Sequence, residues 1–112
     1  MTGNYFTENV INIIKSIPEG KVITYGLIAR LAVDARAARQ VSWILHSSTR
    51  KYDLPWHRVI NSQGRIAIKS IDGKEYQKYL LEQEGVEVSD NFEVDLNKYL
   101  WRVNIDSLNP YT

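Results

Sequence analysis

Apolar side chains recur every three or four positions at the start of the chain, which is the spacing of one helical face. They are Phe6, Val10, Ile13, Ile14 and Ile17. Pro18-Glu19-Gly20 follows, and neither proline nor glycine continues a helix well. The pattern therefore predicts a first amphipathic helix over residues 4–17.

A second, short helix is predicted after Thr24, whose hydroxyl is a suitable N-cap. Its buried stripe is predicted to consist of Ile28, Leu31 and Ala32. Val33-Asp34 then predicts a turn, because aspartate is common where a helix is interrupted.

A third helix is predicted over residues 35–47, with Asp34 as its cap. The inward positions of this helix are Ala38, Val41 and Leu45. The opposite side carries Arg36, Arg39, Gln40 and Trp43. Two short helices joined by a tight turn form a helix-turn-helix, although such helix pairs are also common in proteins that do not bind DNA.

A small hairpin or wing-like loop is predicted next. Val59-Ile60 and Ile66-Ala67-Ile68 flank the turn-forming stretch Asn61-Ser62-Gln63-Gly64. Gly64 can adopt the positive φ that such a turn requires.

A fourth helix is predicted near Asp72 and Glu75, which have the spacing of a capping box, and it ends before Gly85. Its apolar face is predicted to be Tyr76, Tyr79 and Leu80. Further apolar residues predict an irregular C-terminal tail packed on the body: Phe92, Val94, Leu96, Tyr99, Leu100 and Trp101. The predicted fold class is therefore mainly α, a small winged-helix-like helix-turn-helix domain with a short β hairpin or wing loop.

Composition limits the classes of function. The 112 residues, 44% of them hydrophobic, suit one domain over residues 1–112. The absence of cysteine excludes disulfides, thiolate metal sites and thiol catalysis, and we expect no metal and no cofactor. Nothing near the start resembles a signal peptide, and no apolar run approaches the ~20 residues that span a membrane. We therefore expect an intracellular protein without a membrane partner.

Charge is unevenly distributed along the chain. Residues 21–78 contain eleven Lys and Arg against four Asp and Glu, and the remainder contains three against nine. A basic middle of this kind is typical of a surface that faces phosphates. Charges scattered over a solvated surface explain the count equally well.

Several ordered motifs between Ile17 and Val86 closely resemble the DNA-binding domain of the O6-alkylguanine-DNA alkyltransferases. They are Ile17-Pro18-Glu19-Gly20-Lys21-Val22, Thr24-Tyr25-Gly26, Ala37-Ala38-Arg39, Pro55-Trp56-His57-Arg58-Val59, Asn61-Ser62-Gln63-Gly64 and Leu80-Leu81-Glu82-Gln83-Glu84-Gly85-Val86. The family's own active-site motif is Pro-Cys-His-Arg-Val, whose cysteine removes the alkyl group from guanine. Trp56 stands at that position here, and an indole N–H only donates hydrogen bonds and is no nucleophile. The chain thus resembles the alkyltransferase-like proteins, which recognise the lesion without accepting the alkyl group.

The resemblance implies a recognition helix in the minor groove of DNA. The DNA-binding residues that it implies are Tyr25, Arg36, Ala37 and Arg39. Arg39 matches an arginine that fills the space left by the flipped nucleotide, and Tyr25 matches a tyrosine that crowds the phosphate and contacts the flipped base.

The lesion pocket implied by the resemblance consists of Tyr25, Trp56, Val59, Lys69 and Ser70. His57 and Glu84 match the residues that activate the missing cysteine, so no catalytic residue is expected and we interpret both as structural. Arg58 is expected to support the turn. Ser42 and Trp43 replace small residues that are usual in the family, and we expect Trp43 to fill a local gap rather than to widen a contact surface.

The resemblance implies a non-enzymatic sensor that binds double-stranded DNA containing O6-alkylguanine, flips the base into a pocket and marks the lesion for nucleotide excision repair proteins. We expect a monomer, in the cytoplasm (nucleoid) of a bacterium or the nucleus of a eukaryote. Two alternatives are left open. His57 and Glu84 could activate water in a glycosylase or hydrolase, or the helix-turn-helix could belong to a sequence-specific regulator.

Overall fold

Helices dominate the architecture, and the prediction of a mainly helical domain is confirmed. The computed structural model describes residues 2–103 apart from residues 33, 35 and 36, with side chains from residue 5 onward. Its helices are α1 (Thr2–Lys15), α2 (Tyr25–Leu31), α3 (Ala38–Tyr52), α4 (Ile71–Gln83) and the short α5 (Leu96–Tyr99). Its strands are β1 (Ile23–Thr24) and β2 (Val59–Ile60), and a 3-10 turn, Trp56–Arg58, precedes β2.

The two strands pair in parallel. Residues 66–68 form no strand with β2, so of the predicted hairpin or wing-like loop the hairpin is wrong. Ile23 lies opposite Val59, and α2 and α3 form the crossover between the strands. Both residues of each strand are buried, which is typical of a parallel strand covered on both faces. The loop after β2 does turn back, because Asn61 N donates to Arg65 O at 2.9 Å. The returning segment, however, bonds to the C-terminal tail, with Ile66 N donating to Phe92 O at 3.0 Å.

The start of α2 agrees with its prediction, and the start of α3 does not. Thr24 caps α2 by accepting a hydrogen bond from Leu27 N at 3.1 Å. Helix α3 begins at Ala38, and its N-cap Ala37 provides no side-chain cap. Asp34 belongs instead to the preceding turn, where its carbonyl oxygen accepts from Ala37 N at 3.0 Å. Val33, the other residue predicted in that turn, lies outside the described residues.

The predicted capping box of α4 is also wrong. Ser70 is the N-cap, and its hydroxyl accepts from Gly73 N at 3.1 Å, so the helix begins before Asp72. At the other end, Gly85 has φ +87° directly after the C-cap Glu84, as predicted for a C-terminal stop.

The core contains two neighbouring clusters. The predicted face of α1 packs with α2, α3 and β1 in the first cluster. The second contains Val22, Ile60, Leu81 and residues of the tail. The tail packs as predicted, although part of it forms α5. Trp101 N donates to Val22 O at 2.7 Å and so fixes this part of the tail beside β1.

The inward face of α4 differs from the predicted one. Gln77 and Leu81 are 2% and 0% exposed, whereas Tyr76 and Tyr79 are each 56% exposed. The buried amide of Gln77 donates to two backbone oxygens, and such groups must find partners once they leave water. Helix α4 therefore turns Gln77 inward, where its amide bonds to these backbone oxygens, and leaves the two tyrosines at the surface.

Gly64 provides a test of this arrangement. Its φ is +80°, and a Cβ added there would lie 2.7 Å from the carbonyl oxygen of Val94. We expect Gly64→Ala to lower the free energy of unfolding by about 1–3 kcal/mol, measured by urea denaturation. Gly26→Ala in α2 is the control, because its Cβ would meet nothing within 4 Å, and it should stabilise by about 0.5–1 kcal/mol. Equal stability of Gly64→Ala and wild type would contradict the left-handed turn.

Candidate functional site

The buried side chain of Gln77 in α4 fixes the turn that carries Trp56. Gln77 Nε2 donates to His57 O at 3.0 Å and to Val59 O at 3.1 Å. Trp56 N donates to Leu54 O at 2.8 Å. These bonds fix the backbone between α3 and β2 and leave the Trp56 indole half-buried at the surface.

The Glu84 carboxylate joins three segments of this region that are distant in sequence. Nε2 of His57 lies 2.6 Å from Oε2 of Glu84, and Arg58 donates from Nε to Oε1 at 2.9 Å and from Nη2 to Oε2 at 2.7 Å. Gly20 N donates to Oε1 at 3.0 Å, and Arg58 Nη1 donates to Ile17 O at 2.8 Å. The residues expected to have structural roles thus join the end of α4, the Trp56 turn and the loop after α1.

The pKa of Glu84 reflects this network. Burial by itself would raise the pKa, but the hydrogen bonds from Arg58, from Gly20 N and from His57, with the attraction of the His57 charge, lower it to about 2. The Glu84 side chain is only 10% exposed, so solvent screens these interactions weakly. The carboxylate is therefore ionised at neutral pH and is a poor proton acceptor.

We expect a specific loss of stability in acid. The folded-state pKa of about 2 lies below the ordinary value of 4.5, so the stabilisation is complete above the ordinary value and disappears as pH falls towards 2. It amounts to about 3 kcal/mol. We expect urea unfolding between neutral pH and about pH 3 to show that the free energy of unfolding falls more steeply in wild type than in Glu84→Gln, which lacks this carboxylate. Parallel pH profiles of the two proteins would contradict this assignment.

A cleft of about 650 Å³ opens beside Trp56. Its lining residues come from the start of α2, one face of α3, the Trp56 turn and the loop before α4. They are Tyr25, Ala38, Arg39, Ser42, Leu45, His46, Thr49, Trp56, Ala67 and Ile68. The cleft therefore combines aromatic and apolar walls with one guanidinium group.

Three of the predicted site residues meet in this cleft, namely Tyr25, Arg39 and Trp56. Burial raises the pKa of Tyr25, so its hydroxyl stays protonated at neutral pH and can both donate and accept. Arg39 is exposed, and none of its side-chain nitrogens bonds to a residue that the structure describes.

The other predicted site residues lie elsewhere. Val59 is 1% exposed in β2, so its side chain belongs to the core and forms no pocket wall. Lys69 and Ser70 follow the lining residue Ile68 but do not line the cleft, and the Ser70 hydroxyl is occupied as the cap of α4. Ala37 is buried before α3, and Arg36 lies outside the described residues.

Several lining residues were missed from the sequence. Ser42, His46 and Thr49 were not predicted to line the cleft, although Ala38, Ser42, Leu45 and Thr49 repeat at the spacing of one helical face. Tyr76 was predicted to lie in the core, yet its ring centroid lies 6.0 Å from that of Trp56. It therefore extends the aromatic surface of Trp56 outward.

A second cleft, of about 660 Å³, shares His46, Thr49 and Trp56 with the first. Its remaining lining residues are Arg50, Asp53, Leu54, Pro55 and His57. Trp56 thus contributes to both clefts, and movement of its indole would change the shape of each.

Trp43 does not fill a gap, contrary to the expectation from sequence. Its side chain is 68% exposed on α3.

Among the residues that the structure describes, no group of three or more His, Cys, Asp or Glu could hold a metal. No helix within the same residues is long and apolar enough to cross a membrane.

Comparison with known proteins agrees with this geometry. Residues 5–86 match the family model described as "6-O-methylguanine DNA methyltransferase, DNA binding domain". The chain is 44% identical over 96 residues to the DNA base-flipping protein of Escherichia coli, covering 86% of this chain and 74% of that protein. It is 39% identical over 102 residues to alkyltransferase-like protein 1 of Schizosaccharomyces pombe, covering 87% and 94% respectively.

The fold is similar to a crystal structure of S. pombe Atl1 in complex with damaged DNA containing O6-carboxymethylguanine. The TM-score is 0.80 at 38% sequence identity, and the match covers 89% of this chain and 97% of that one.

Proposed function

Because the chain belongs to the family of the 6-O-methylguanine-DNA methyltransferase DNA-binding domain, we propose that it is a non-enzymatic sensor of O6-alkylguanine in double-stranded DNA. The observation that carries the proposal is the cleft beside Trp56, which combines aromatic walls with Arg39 in a chain that has no cysteine. The sensor flips the alkylated base into this cleft through the minor groove and holds it there unchanged.

Extraction of the base costs a few kcal/mol of stacking and pairing, and less where alkylation at O6 has already weakened the pair. Arg39 offsets part of that cost by entering the vacated position, where its planar cation stacks on neighbouring bases and donates to the orphaned partner. Its lack of bonds to the described residues leaves all five N–H donors available.

The cleft recognises the extruded base through stacking and hydrogen bonding. Trp56 supplies an aromatic face backed by Tyr76 at 6.0 Å, and base–aromatic stacking contributes about 1–3 kcal/mol per base. The protonated hydroxyl of Tyr25 donates to, or accepts from, the base edge. The network around Glu84 holds the Trp56 turn in place before DNA binds, so binding costs little conformational entropy in this turn.

Hydrolysis of the base or of the alkyl group is the weaker alternative. A water-activating relay needs a base that is free to take a proton. The Glu84 carboxylate already accepts four hydrogen bonds from Arg58 and Gly20 beside its contact with His57, and its pKa is about 2. The carboxylate itself is therefore unsuited to activate water, and within this pair only Nδ1 of His57 is left for that role.

Anisotropy with two otherwise identical duplexes tests the proposal, one of them containing a single O6-methylguanine. We expect tighter binding to the modified duplex at each of two salt concentrations. Mass spectrometry of the recovered DNA should find the modified base intact. Equal affinity for both duplexes would refute the sensor, and loss of the methyl group or of the base would refute its non-enzymatic character.

The remaining parts of the proposal concern the cellular context. We propose that the chain acts as a monomer and that the held lesion is passed to nucleotide excision repair proteins. It would then reside with the DNA, in the cytoplasm (nucleoid) of a bacterium or the nucleus of a eukaryote.

A further inference from the structure

One exposed stripe runs along α3 beside the cleft. It is formed by Arg39, Trp43, His46 and Arg50, all of which are exposed. Their spacing of four, three and four residues places them within an arc of about 60° on the helix, over a length of about 16 Å. Five base pairs of B-DNA rise by about the same distance.

The stripe is free to bind a partner. The side chains of its four residues make no hydrogen bond or ion pair with any residue in the described part of the chain. Helix α3 contains Arg39, Arg50 and Lys51 and no acidic residue, and the first carboxylate after it is that of Asp53. The surface is therefore positively charged and complementary to phosphate.

The stripe is also continuous with the lesion cleft. Arg39 and His46 line the cleft and belong to the stripe, and Trp43 lies between them along the helix. A duplex that places one nucleotide in the cleft and Arg39 in its stack lies against the exposed side of α3 that also presents Trp43. An indole there would meet the sugars and base edges of the adjoining nucleotides.

We infer that Trp43 is a DNA contact, an aromatic wedge in the minor groove next to the flipped nucleotide, with Arg50 at the phosphates farther along. This inference rests on the proposed function. Apolar wedges are frequent where proteins open the minor groove, and the indole N–H can donate to the acceptors on its floor. A side chain outside the cleft contacts damaged and undamaged DNA alike, so Trp43 adds affinity without selectivity for the lesion.

The test compares Trp43→Ala, Trp43→Phe and a control on both duplexes. The control is Tyr5→Ala, which removes an aromatic side chain that is 72% exposed on α1, a helix that contributes no residue to the stripe or to either cleft. We expect Trp43→Ala to weaken binding to the modified and the unmodified duplex by the same factor, about tenfold. Trp43→Phe should recover most of this loss, and Tyr5→Ala should change neither affinity.

Two results would overturn the inference. If Trp43→Ala binds both duplexes as wild type does, the indole contacts no DNA and is left for a protein partner. If it loses affinity only for the modified duplex, the indole acts in lesion recognition instead. Failure of the sensor itself is distinguishable, because that would abolish the difference between duplexes in wild type, whatever Trp43 does.

A spectroscopic measurement reports contact directly. In protein labelled with 5-fluorotryptophan, the resonance of Trp43 is assigned as the one missing from Trp43→Phe. We expect it to shift on saturation with either duplex, whereas the resonance of Trp56 responds more strongly to the modified one. A Trp43 resonance that stays in place while the protein is fully bound would overturn the inference.

Discussion

Replacement of Glu84 by alanine is expected to lower the free energy of unfolding by about 3–5 kcal/mol. The substitution removes the carboxylate that pairs with the partly buried guanidinium of Arg58, and it removes the acceptor for Gly20 N. Both groups lie where water reaches them poorly, and unpaired polar groups in such places are costly. The loss is large because one side chain joins three segments distant in sequence.

Urea denaturation of Glu84→Ala and Glu82→Ala measures this effect. Glu82 is exposed two residues earlier and makes no side-chain bond to the described residues, so its replacement should change stability by about 0.5 kcal/mol or less. Glu84→Gln should fall between the two variants, because an amide retains one acceptor. A loss below about 1 kcal/mol for Glu84→Ala would show that the network contributes little to the fold.

Arg39→Ala is expected to weaken binding to the O6-methylguanine duplex by about 100-fold, close to the few kcal/mol that flipping costs. Without the guanidinium, the vacated stack must be filled by water or must collapse, and the orphaned base loses its donor. Binding to undamaged DNA should weaken far less, because there the variant loses only the electrostatic attraction of one positive charge to the phosphates. The variant should fold normally, since Arg39 is exposed.

Titration of wild type, Arg39→Ala and Arg102→Ala on both duplexes separates these terms. Arg102 is exposed in the C-terminal tail, so its replacement removes the same charge elsewhere on the chain. A similar loss on both duplexes for Arg39→Ala would mean that Arg39 only attracts phosphate. Equal effects of the two variants would point to net charge alone.

Elements determined by local patterns were predictable. The apolar face of α1, the Thr24 cap and the Gly85 stop each depend on nearby residues, and each occurs as predicted. The failures depend on distant partners. β2 pairs with β1 across two helices, and Gln77 turns inward because carbonyl oxygens 18 and 20 residues away require a donor. Neither partner is visible in a local window of sequence.

The residues of the site also fall into those that local motifs predict and those that depend on distant packing. Tyr25, Arg39 and Trp56 could be placed from their motifs, and they meet in one cleft. The contribution of α3 could not be predicted, because it depends on which helical face is left open once Val41 and Leu45 enter the core. Val59 is adjacent to the turn in sequence but points into the core, since strand residues alternate between faces that are both covered here.

The most direct test of the central claim is a crystal structure of the chain bound to a duplex with one O6-methylguanine. The account predicts that the modified base is outside the helix, in the cleft between Tyr25 and Trp56, with Arg39 in the vacated stack and the methyl group still attached. A modified base that remains stacked in the duplex, with Trp56 distant from it, would contradict the account.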